Sequence, residues 1–201
     1  MKYLLTLTVA LSAVSCFTPP KKACDKQVVD LWTGDVAQLD HWQMAGPEEF
    51  THDGNTVYAQ GGMGLYWYSA RDFENFDLEL EWQVTDVTNN SGVFVRFPNP
   101  GNDPWVAVNE GYEIQICDTA GPKHNTGSMY SFQAATHIPT KAVGEWNHYR
   151  IQVVGHQYTI FINGELVNSF TGDRSARGFI GMQNHDDGSP VRYRNIRVTE
   201  I

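Results

Sequence analysis

Alternation of apolar and polar residues recurs along this sequence and restricts its fold more than any other feature. Between Phe76 and Val84, apolar side chains occupy every second position and acidic or amide side chains fill the positions between them. Successive side chains of a strand point to opposite faces, so this period predicts an antiparallel strand with one buried face. No long segment shows the 3.6-residue apolar period of a helix. The sequence therefore predicts an all-β protein.

Further strands are predicted along the chain, with turn residues between them. The pair Asn163-Gly164 favours a tight hairpin, because both residues tolerate a positive φ. Many short strands separated by turns indicate a sandwich or a jelly roll. The other predicted strands are Thr56–Gln60, Gly64–Tyr68, Gly92–Phe97, Tyr112–Asp118, Trp146–Val154, Gln157–Ile162, Glu165–Phe170, Phe179–Asn184 and Val191–Val198.

The composition fits one globular domain and argues against nucleic-acid binding. Of the 201 residues, 41% are hydrophobic and 12% are aromatic, which is not the composition of a disordered chain. The formal net charge is -9, and the sequence has no cluster of Lys and Arg of the kind that neutralises phosphates. We predict a single domain over residues 27–201 and no nucleic-acid partner.

The first residues resemble a bacterial export signal. Lys2 precedes an apolar stretch, Leu4 to Val14, that is too short to span a bilayer. Small residues then lead to Cys16, as at a lipoprotein cleavage site, where the Cys becomes the lipidated N-terminus. We expect a signal peptide over residues 1–15, a lipidated N-terminus and Pro-rich tether over residues 16–26, and a cell-envelope lipoprotein that meets the membrane only through its lipid. A plain secretory peptide that is cut nearby is the alternative.

Polar side chains share one face of three predicted strands. Glu113 and Gln115 alternate with apolar residues in one strand, and Gln183 and His185 do so in another. Arg96 falls on the polar face of a third strand. Carboxylate, amide and imidazole groups have the defined hydrogen-bonding geometry that sugar hydroxyls require. This face is interpreted as a ligand site, and an ordinary solvent-facing sheet surface is the alternative.

Two long irregular stretches, Pro98 to Glu110 and Thr119 to Ala142, border one of these polar strands. Loops of this length in a compact β domain are typically functional or disordered. Trp105 and Tyr130, one in each stretch, offer planes on which a sugar ring can stack. His124 is interpreted as a solvated side chain.

Nine short motifs follow one another in a characteristic order. They are Gly64–Trp67, Phe73–Trp82, Asn90–Arg96, Gly111–Ile116 with Asp118, Thr126–Tyr130, Gly144–Asn147, Asn163-Gly164, Ile180–His185 and Arg194–Ile196. In this order they resemble the 3-keto-disaccharide hydrolase domain family over about residues 27–201. The resemblance implies a concanavalin A-like jelly-roll sandwich of two antiparallel sheets. It also implies activity on saccharides, in a family of exported bacterial proteins. Some of these proteins cleave glycosidic bonds of sugars that carry a ketone at carbon 3.

A 3-keto sugar gives the polar side chains specific roles. The ketone acidifies the hydrogen on carbon 2, so a base can start an elimination that expels the leaving group, after which water adds back. We predict that the catalytic residues are Glu113, His185 and Arg96, either Glu113 or His185 acting as base and Arg96 stabilising the enolate. The predicted substrate-binding residues are Gln115, Gln183, Asp118, Tyr130 and Trp105.

Three alternatives to this assignment are open from the sequence. A divalent metal ion held by Glu113, Asp118 and His185 is an alternative stabiliser of the enolate. Hydrolysis by paired carboxylates is disfavoured, because related glucanases carry two Glu residues on one strand and the second Glu is missing here. A non-catalytic carbohydrate-binding module is the alternative to an enzyme that acts on 3-keto-glycosides.

Overall fold

The computed structural model describes residues 26–201 and consists mainly of β-strands. The predicted signal peptide, Cys16 and the tether as far as residue 25 lie outside the described residues, so export and lipidation stay predictions. Within residues 26–201, no helix is both long and apolar enough to cross a membrane. The elements are β1 (Val28–Trp32), a 3₁₀ helix (Val36–His41), β2 (Trp42–Ala45), β3 (Glu49–Asp53), β4 (Thr56–Gln60), β5 (Gly64–Tyr68), β6 (Phe76–Gln83), β7 (Ser91–Phe97), α1 (Trp105–Glu110), β8 (Tyr112–Ile116), β9 (Asn147–Val154), β10 (Gln157–Ile162), β11 (Glu165–Thr171), β12 (Phe179–Asn184) and β13 (Arg192–Glu200).

The strands form two antiparallel sheets. One has eight strands in the order β11-β10-β9-β6-β13-β4-β3, with β1 paired to β13, and the other has five strands in the order β2-β5-β12-β7-β8. Their inner faces share one apolar core, to which the small sheet contributes Val95 and Ile114 and the large sheet contributes Leu80 and Tyr149. The predicted all-β jelly-roll sandwich of two antiparallel sheets is confirmed.

The outer face of the five-stranded sheet carries a second, smaller apolar cluster. The short helix α1 packs on β7 and β8 at this face. It covers part of the sheet and leaves the neighbouring polar side chains of β8 and β12 in an open recess. The buried residues of the cluster are Ala45, Leu65, Trp67, Phe94, Phe97 and Ala107.

A β-bulge in β7 reverses the direction of Arg96. The pairing of β7 with β12 joins Val95 to Ile180 and Phe97 to Phe179, so Arg96 has no partner in the ladder. Its φ is 59°, outside the range of a regular strand. An extra residue of this kind breaks the period of two, because the residues that follow it exchange faces. The prediction that Arg96 lies on the polar face is therefore wrong.

Arg96 instead lies fully buried at the edge of the core. Its guanidinium donates hydrogen bonds to the main-chain carbonyl oxygens of Glu74 and Gly155. The guanidinium carbon also lies 5.6 Å from the centre of the Tyr158 ring, within range of a cation–π contact. Glu74 precedes β6 and Gly155 joins β9 to β10. Arg96 therefore ties the five-stranded sheet to the eight-stranded sheet and does not reach the outer face.

Three N-terminal strands and the helix α1 were not predicted from the sequence. β1 and β3 are short, and their buried and exposed residues do not alternate cleanly. The helix α1 has six residues, which is less than two turns, so it cannot display a helical apolar period. These elements are stabilised by the sheets on which they pack, and the pattern of their own residues is a weak signal.

Candidate functional site

A pocket of about 280 Å³ lies on the outer face of the five-stranded sheet, beside α1. Glu113 and Gln115 from β8 and Gln183 from β12 form its floor. These three side chains point outward because Ile114 and Ile180, at alternate positions of the same strands, point into the core. The polar face that the sequence predicts on these two strands is thus the base of a recess.

Each floor residue contains a buried oxygen without a partner. The residues Glu113, Gln115 and Gln183 are 5%, 2% and 5% exposed, respectively. The Oε1 atom of each accepts no hydrogen bond from the described part of the chain. Since buried polar groups are almost always paired, three unpaired acceptors that line one pocket indicate a place where a ligand supplies the donors.

Burial raises the pKa of Glu113 to about 8. Desolvation disfavours the charged carboxylate, so the group carries its proton at neutral pH and ionises in mildly alkaline solution. Gly92 on the neighbouring strand leaves room for the carboxyl group, since a Cβ atom at that position would lie 2.2 Å from Glu113 Oε1. Glu113 is therefore a desolvated acid whose ionised form is a stronger base than an ordinary carboxylate.

A chain of hydrogen bonds leads from the surface to the floor. His185 Nδ1 lies 2.6 Å from a carboxylate oxygen of Asp186, and His185 Nε2 lies 3.0 Å from Asn90 Nδ2. Asn90 Oδ1 accepts a hydrogen bond of 2.8 Å from Gln115 Nε2. Asn90 is itself anchored, because its main-chain N–H donates to Ser189 Oγ at 2.8 Å. The orientation of the Gln115 amide thus depends on groups outside the floor.

The walls of the pocket come from the two long stretches between strands. His124 and Tyr130 come from the stretch after β8, where their ring centres lie 4.7 Å apart. Trp105 begins α1 and is 55% exposed. Arg174 holds the other end of that helix by donating to the carbonyl oxygens of Val108 and Gly111. An imidazole, a phenol and an indole therefore surround the entrance.

Asp118 does not belong to the pocket. Its carboxylate accepts hydrogen bonds from the hydroxyls of Thr126 at 2.5 Å and Thr140 at 2.7 Å, so it fastens the loop that follows β8. The structure therefore places Asp118, which was predicted to bind substrate, outside the lining of the pocket. Among the described residues, no group of three or more His, Cys, Asp or Glu side chains is arranged to hold a metal ion. Glu113, Asp118 and His185 consequently do not form the predicted metal site.

The structure brings most of the predicted site residues together and adds two important ones. Asn90 and His124 line the pocket, whereas no role was predicted for Asn90 and a solvated position was predicted for His124. The length of the stretch after β8 was the available signal for His124, since long loops of β domains are often functional. The predicted site residues that line this one pocket are Glu113, Gln115, Gln183, His185, Tyr130 and Trp105.

Comparison with known proteins relates the chain to saccharide-active proteins. Residues 28–199 match the family model described as the 3-keto-alpha-glucoside-1,2-lyase-like domain. The 3-keto-disaccharide hydrolase of Bacteroides thetaiotaomicron is 30% identical to this chain, in an alignment that covers 70% of this chain and 63% of that protein. The chain therefore spans less than two thirds of the length of this relative.

Solved structures share the fold at lower identity. A candidate glycosyl hydrolase of Parabacteroides distasonis superposes with a TM-score of 0.74 at 16% identity, covering 87% of this chain and 94% of that one. A second from the same organism has a TM-score of 0.72 at 24% identity, with coverage of 87% and 100%. A carbohydrate-binding module of Bacillus subtilis has a TM-score of 0.57 at 13% identity, with coverage of 83% and 96%. At these identities the likeness is one of fold.

Proposed function

Because this chain belongs to the 3-keto-alpha-glucoside-1,2-lyase-like domain family, we propose that it is an enzyme that cleaves the glycosidic bond of 3-keto-glycosides. The proposed reaction is an elimination that begins with removal of the hydrogen on carbon 2. Glu113 is the proposed base. The ligand is a saccharide in which carbon 3 is a ketone and the neighbouring carbons carry hydroxyl groups.

The observation that carries the proposal is the state of Glu113. Its carboxyl group lies buried at the floor of the pocket, with one oxygen unpaired and a pKa that burial raises to about 8. A carbon acid next to a ketone is weak and requires a strong, desolvated base. A carboxylate held in water at its ordinary pKa would be much less effective. The environment of Glu113 thus supports the role that this reaction requires.

The elimination moves electrons in one direction through the sugar. The Glu113 carboxylate takes the proton from carbon 2, and the electrons of that C–H bond form an enolate with the neighbouring ketone. When the enolate collapses, a double bond forms between carbons 1 and 2, the bond from carbon 1 to the glycosidic oxygen breaks, and the leaving oxygen takes up a proton. Water that adds across the double bond then completes a net hydrolysis.

The other pocket residues have roles that follow from their donors and acceptors. Gln115 and Gln183 present carbonyl oxygens to sugar hydroxyls. His124 and Tyr130 can donate protons or hydrogen bonds to the ketone oxygen and to the leaving oxygen. Trp105 offers an exposed indole face to a sugar ring.

His185 is assigned to positioning and not to proton removal. In the hydrogen-bond chain, its Nε2 lone pair faces the Asn90 amide and its Nδ1 faces Asp186. Both nitrogens therefore have partners in the protein. Among the described residues that line the pocket, Glu113 is also the one carboxylate, which disfavours hydrolysis by paired carboxylates.

A non-catalytic saccharide-binding module is the second candidate. The exposed Trp105 beside a floor of amides is the observation that favours it, because stacking and hydroxyl recognition are sufficient for binding. This candidate assigns no chemical task to Glu113. The two functions therefore differ in what happens when Glu113 is replaced.

Replacement of Glu113 by Gln separates the two candidates. For an enzyme, we expect turnover of a 3-keto-disaccharide to fall by about a thousandfold, while affinity measured by calorimetry changes by less than about threefold. Glu110→Gln, the same change at an exposed position at the end of α1, should leave both quantities unaltered. If the parent protein binds 3-keto-disaccharides but does not cleave them, the binding module is the correct function.

A further inference from the structure

The direction of the hydrogen-bond chain from Asp186 to Gln115 determines which atom of the Gln115 amide faces the pocket. Asp186 is the fixed end of this chain. Although partial burial acts to raise it, hydrogen bonds from His185, from Ser189 and from the Gly188 N–H bring the pKa of Asp186 below its ordinary value. As a carboxylate, Asp186 can only accept hydrogen bonds. His185 must therefore carry a proton on Nδ1.

Each later link in the chain follows from this first one. A neutral imidazole with its proton on Nδ1 has an acceptor at Nε2, so the group of Asn90 that faces it must be the donor Nδ2. The Oδ1 atom of Asn90 then faces Gln115 and requires the donor Nε2 there. The Gln115 carbonyl oxygen is left over, buried and unpaired, at the pocket floor. A reversed chain would place the Gln115 NH₂ group in the pocket instead.

On the basis of the function proposed above, we propose that Asp186 is a positioning residue for substrate specificity. Acting through His185 and Asn90, it holds Gln115 so that the carbonyl oxygen of this amide, and not its NH₂ group, faces the ligand. The Gln115 oxygen then selects a hydroxyl group of the sugar, while the ketone oxygen, which is itself an acceptor, is turned away from Gln115 toward the donors His124 and Tyr130. Asp186 thereby determines which way round a 3-keto sugar lies above Glu113.

Few ionisable side chains surround His185. Asp186 comes from the same turn and is bonded to the imidazole. Glu113 from β8, and His124 and Tyr130 from the following loop, are the other ionisable side chains that line the pocket with it. Asp187 is exposed in the same turn, and among the described residues it makes no hydrogen bond to the groups that connect Asp186 to Gln115. Asp187 is therefore a matched control for Asp186.

The tautomer of His185 tests the proposal without any substrate. We expect the ¹⁵N spectrum of the ligand-free protein, at a pH where the imidazole is neutral, to show the proton on Nδ1. A proton on Nε2 in the parent protein would mean that the chain runs the other way and would overturn the proposal.

Kinetics of Asp186→Asn complete the test. An Asn at this position still accepts from the Gly188 N–H but can also donate to His185, so both imidazole tautomers become populated and the Gln115 amide loses its fixed direction. We expect KM for a 3-keto-disaccharide to rise about three- to tenfold, the equivalent of one hydrogen bond, with kcat within about twofold, and no change in Asp187→Asn. An unchanged spectrum together with an unchanged KM would overturn the positioning role. Inactivity of the parent with a clear Nδ1–H signal would instead contradict only the enzymatic function.

Discussion

Glu113 and Arg96 are both ionisable, both buried, and lie on neighbouring strands, yet the protein treats them in opposite ways. Arg96 donates to two main-chain carbonyl oxygens and lies against an aromatic ring. Glu113 has an unpaired oxygen in a pocket and a raised pKa. Arg96 supplies two buried carbonyl oxygens with donors, although its own Nε has no partner among the described residues. An acid that is buried without a partner for Oε1 costs stability and is a candidate functional group. The two residues thus differ in whether the protein itself pairs the polar atoms that they bring to a buried place.

The largest effect expected from this contrast is on the pH dependence of activity. Only the ionised form of Glu113 can remove a proton, and burial raises its pKa to about 8. The value of kcat/KM for a 3-keto-disaccharide should therefore rise about tenfold per pH unit below pH 8, or about a thousandfold between pH 5 and pH 8, and then level off. Steady-state kinetics over pH 5 to 9 measure this. A profile that is flat or that falls over this range would exclude Glu113 as the base.

The second prediction concerns Arg96, the other residue of the comparison. Arg96→Met leaves the carbonyl oxygens of Glu74 and Gly155 without their donor in a buried place, and should lower the free energy of unfolding by about 4 kcal/mol. Arg177→Met removes a half-exposed guanidinium that is paired with Asp72, and should cost less than about 1 kcal/mol. Denaturant titration of both variants measures the difference. Equal losses in the two would show that Arg96 does not tie the sheets together.

The third prediction is that replacing Glu113 stabilises the protein. The folded state keeps the Glu113 proton until about pH 8, whereas the unfolded chain loses it near the ordinary value of 4.5. Unfolding therefore releases a proton between these pH values, so the stability of the parent falls as the pH rises through this window. Glu113→Gln removes this cost, and should gain about 3 kcal/mol at pH 7.

Thermal or chemical denaturation as a function of pH checks this prediction. The gain from Glu113→Gln should be absent at pH 4, grow between pH 4.5 and pH 8, and stay constant above pH 8. The same titration of Glu110→Gln supplies the baseline for an exposed carboxylate. A gain that did not depend on pH would come from packing and not from the buried charge.

The smallest predicted effect concerns the rim of the pocket. Trp105→Ala removes an exposed indole face and should raise KM for the sugar about fivefold, because an aromatic stacking contact contributes about 1 kcal/mol. The value of kcat should change little, since the indole does not reach the floor. Val143→Ala, at another exposed apolar residue outside the pocket lining, is the control. A large loss of kcat in Trp105→Ala would assign the indole to the chemistry.

The period of two was sufficient to predict the all-β class and the floor of the pocket, whereas the jelly-roll arrangement was predicted from the family resemblance. Glu113, Gln115 and Gln183 lie where alternation places them, because β8 and β12 are regular at these positions. The prediction that Arg96 lies on the polar face was wrong because the bulge is a property of the pairing with β12. The sequence of β7 alone carries no sign of this bulge. Alternation gives no support for a place of Asp118 in the pocket, because it assigns Asp118 to the face of Ile114 and Ile116 and because β8 ends at Ile116.

Residues that reach the site from loops were the hardest to predict. Asn90 precedes β7 and acts through a side-chain amide bonded to two other side chains, a relation that no local pattern encodes. His124 reaches the pocket because the long stretch after β8 folds back so that its ring meets Tyr130. Such positions depend on tertiary contacts, whereas the floor depends on local geometry.

The bulge at Arg96 also bears on how this protein can change over evolutionary time. It makes one strand serve two tasks on opposite faces, with Gly92 beside the pocket on one side and a guanidinium bound to main-chain carbonyl oxygens on the other. Carbonyl oxygens are present whatever side chains Glu74 and Gly155 are replaced by. Substitution of Glu74 or Gly155 therefore leaves the acceptors for Arg96 in place. The hydrogen bonds through which Arg96 connects the two sheets also involve no residue of the pocket. New sugar specificities can arise by changing the pocket while the sandwich keeps its connection.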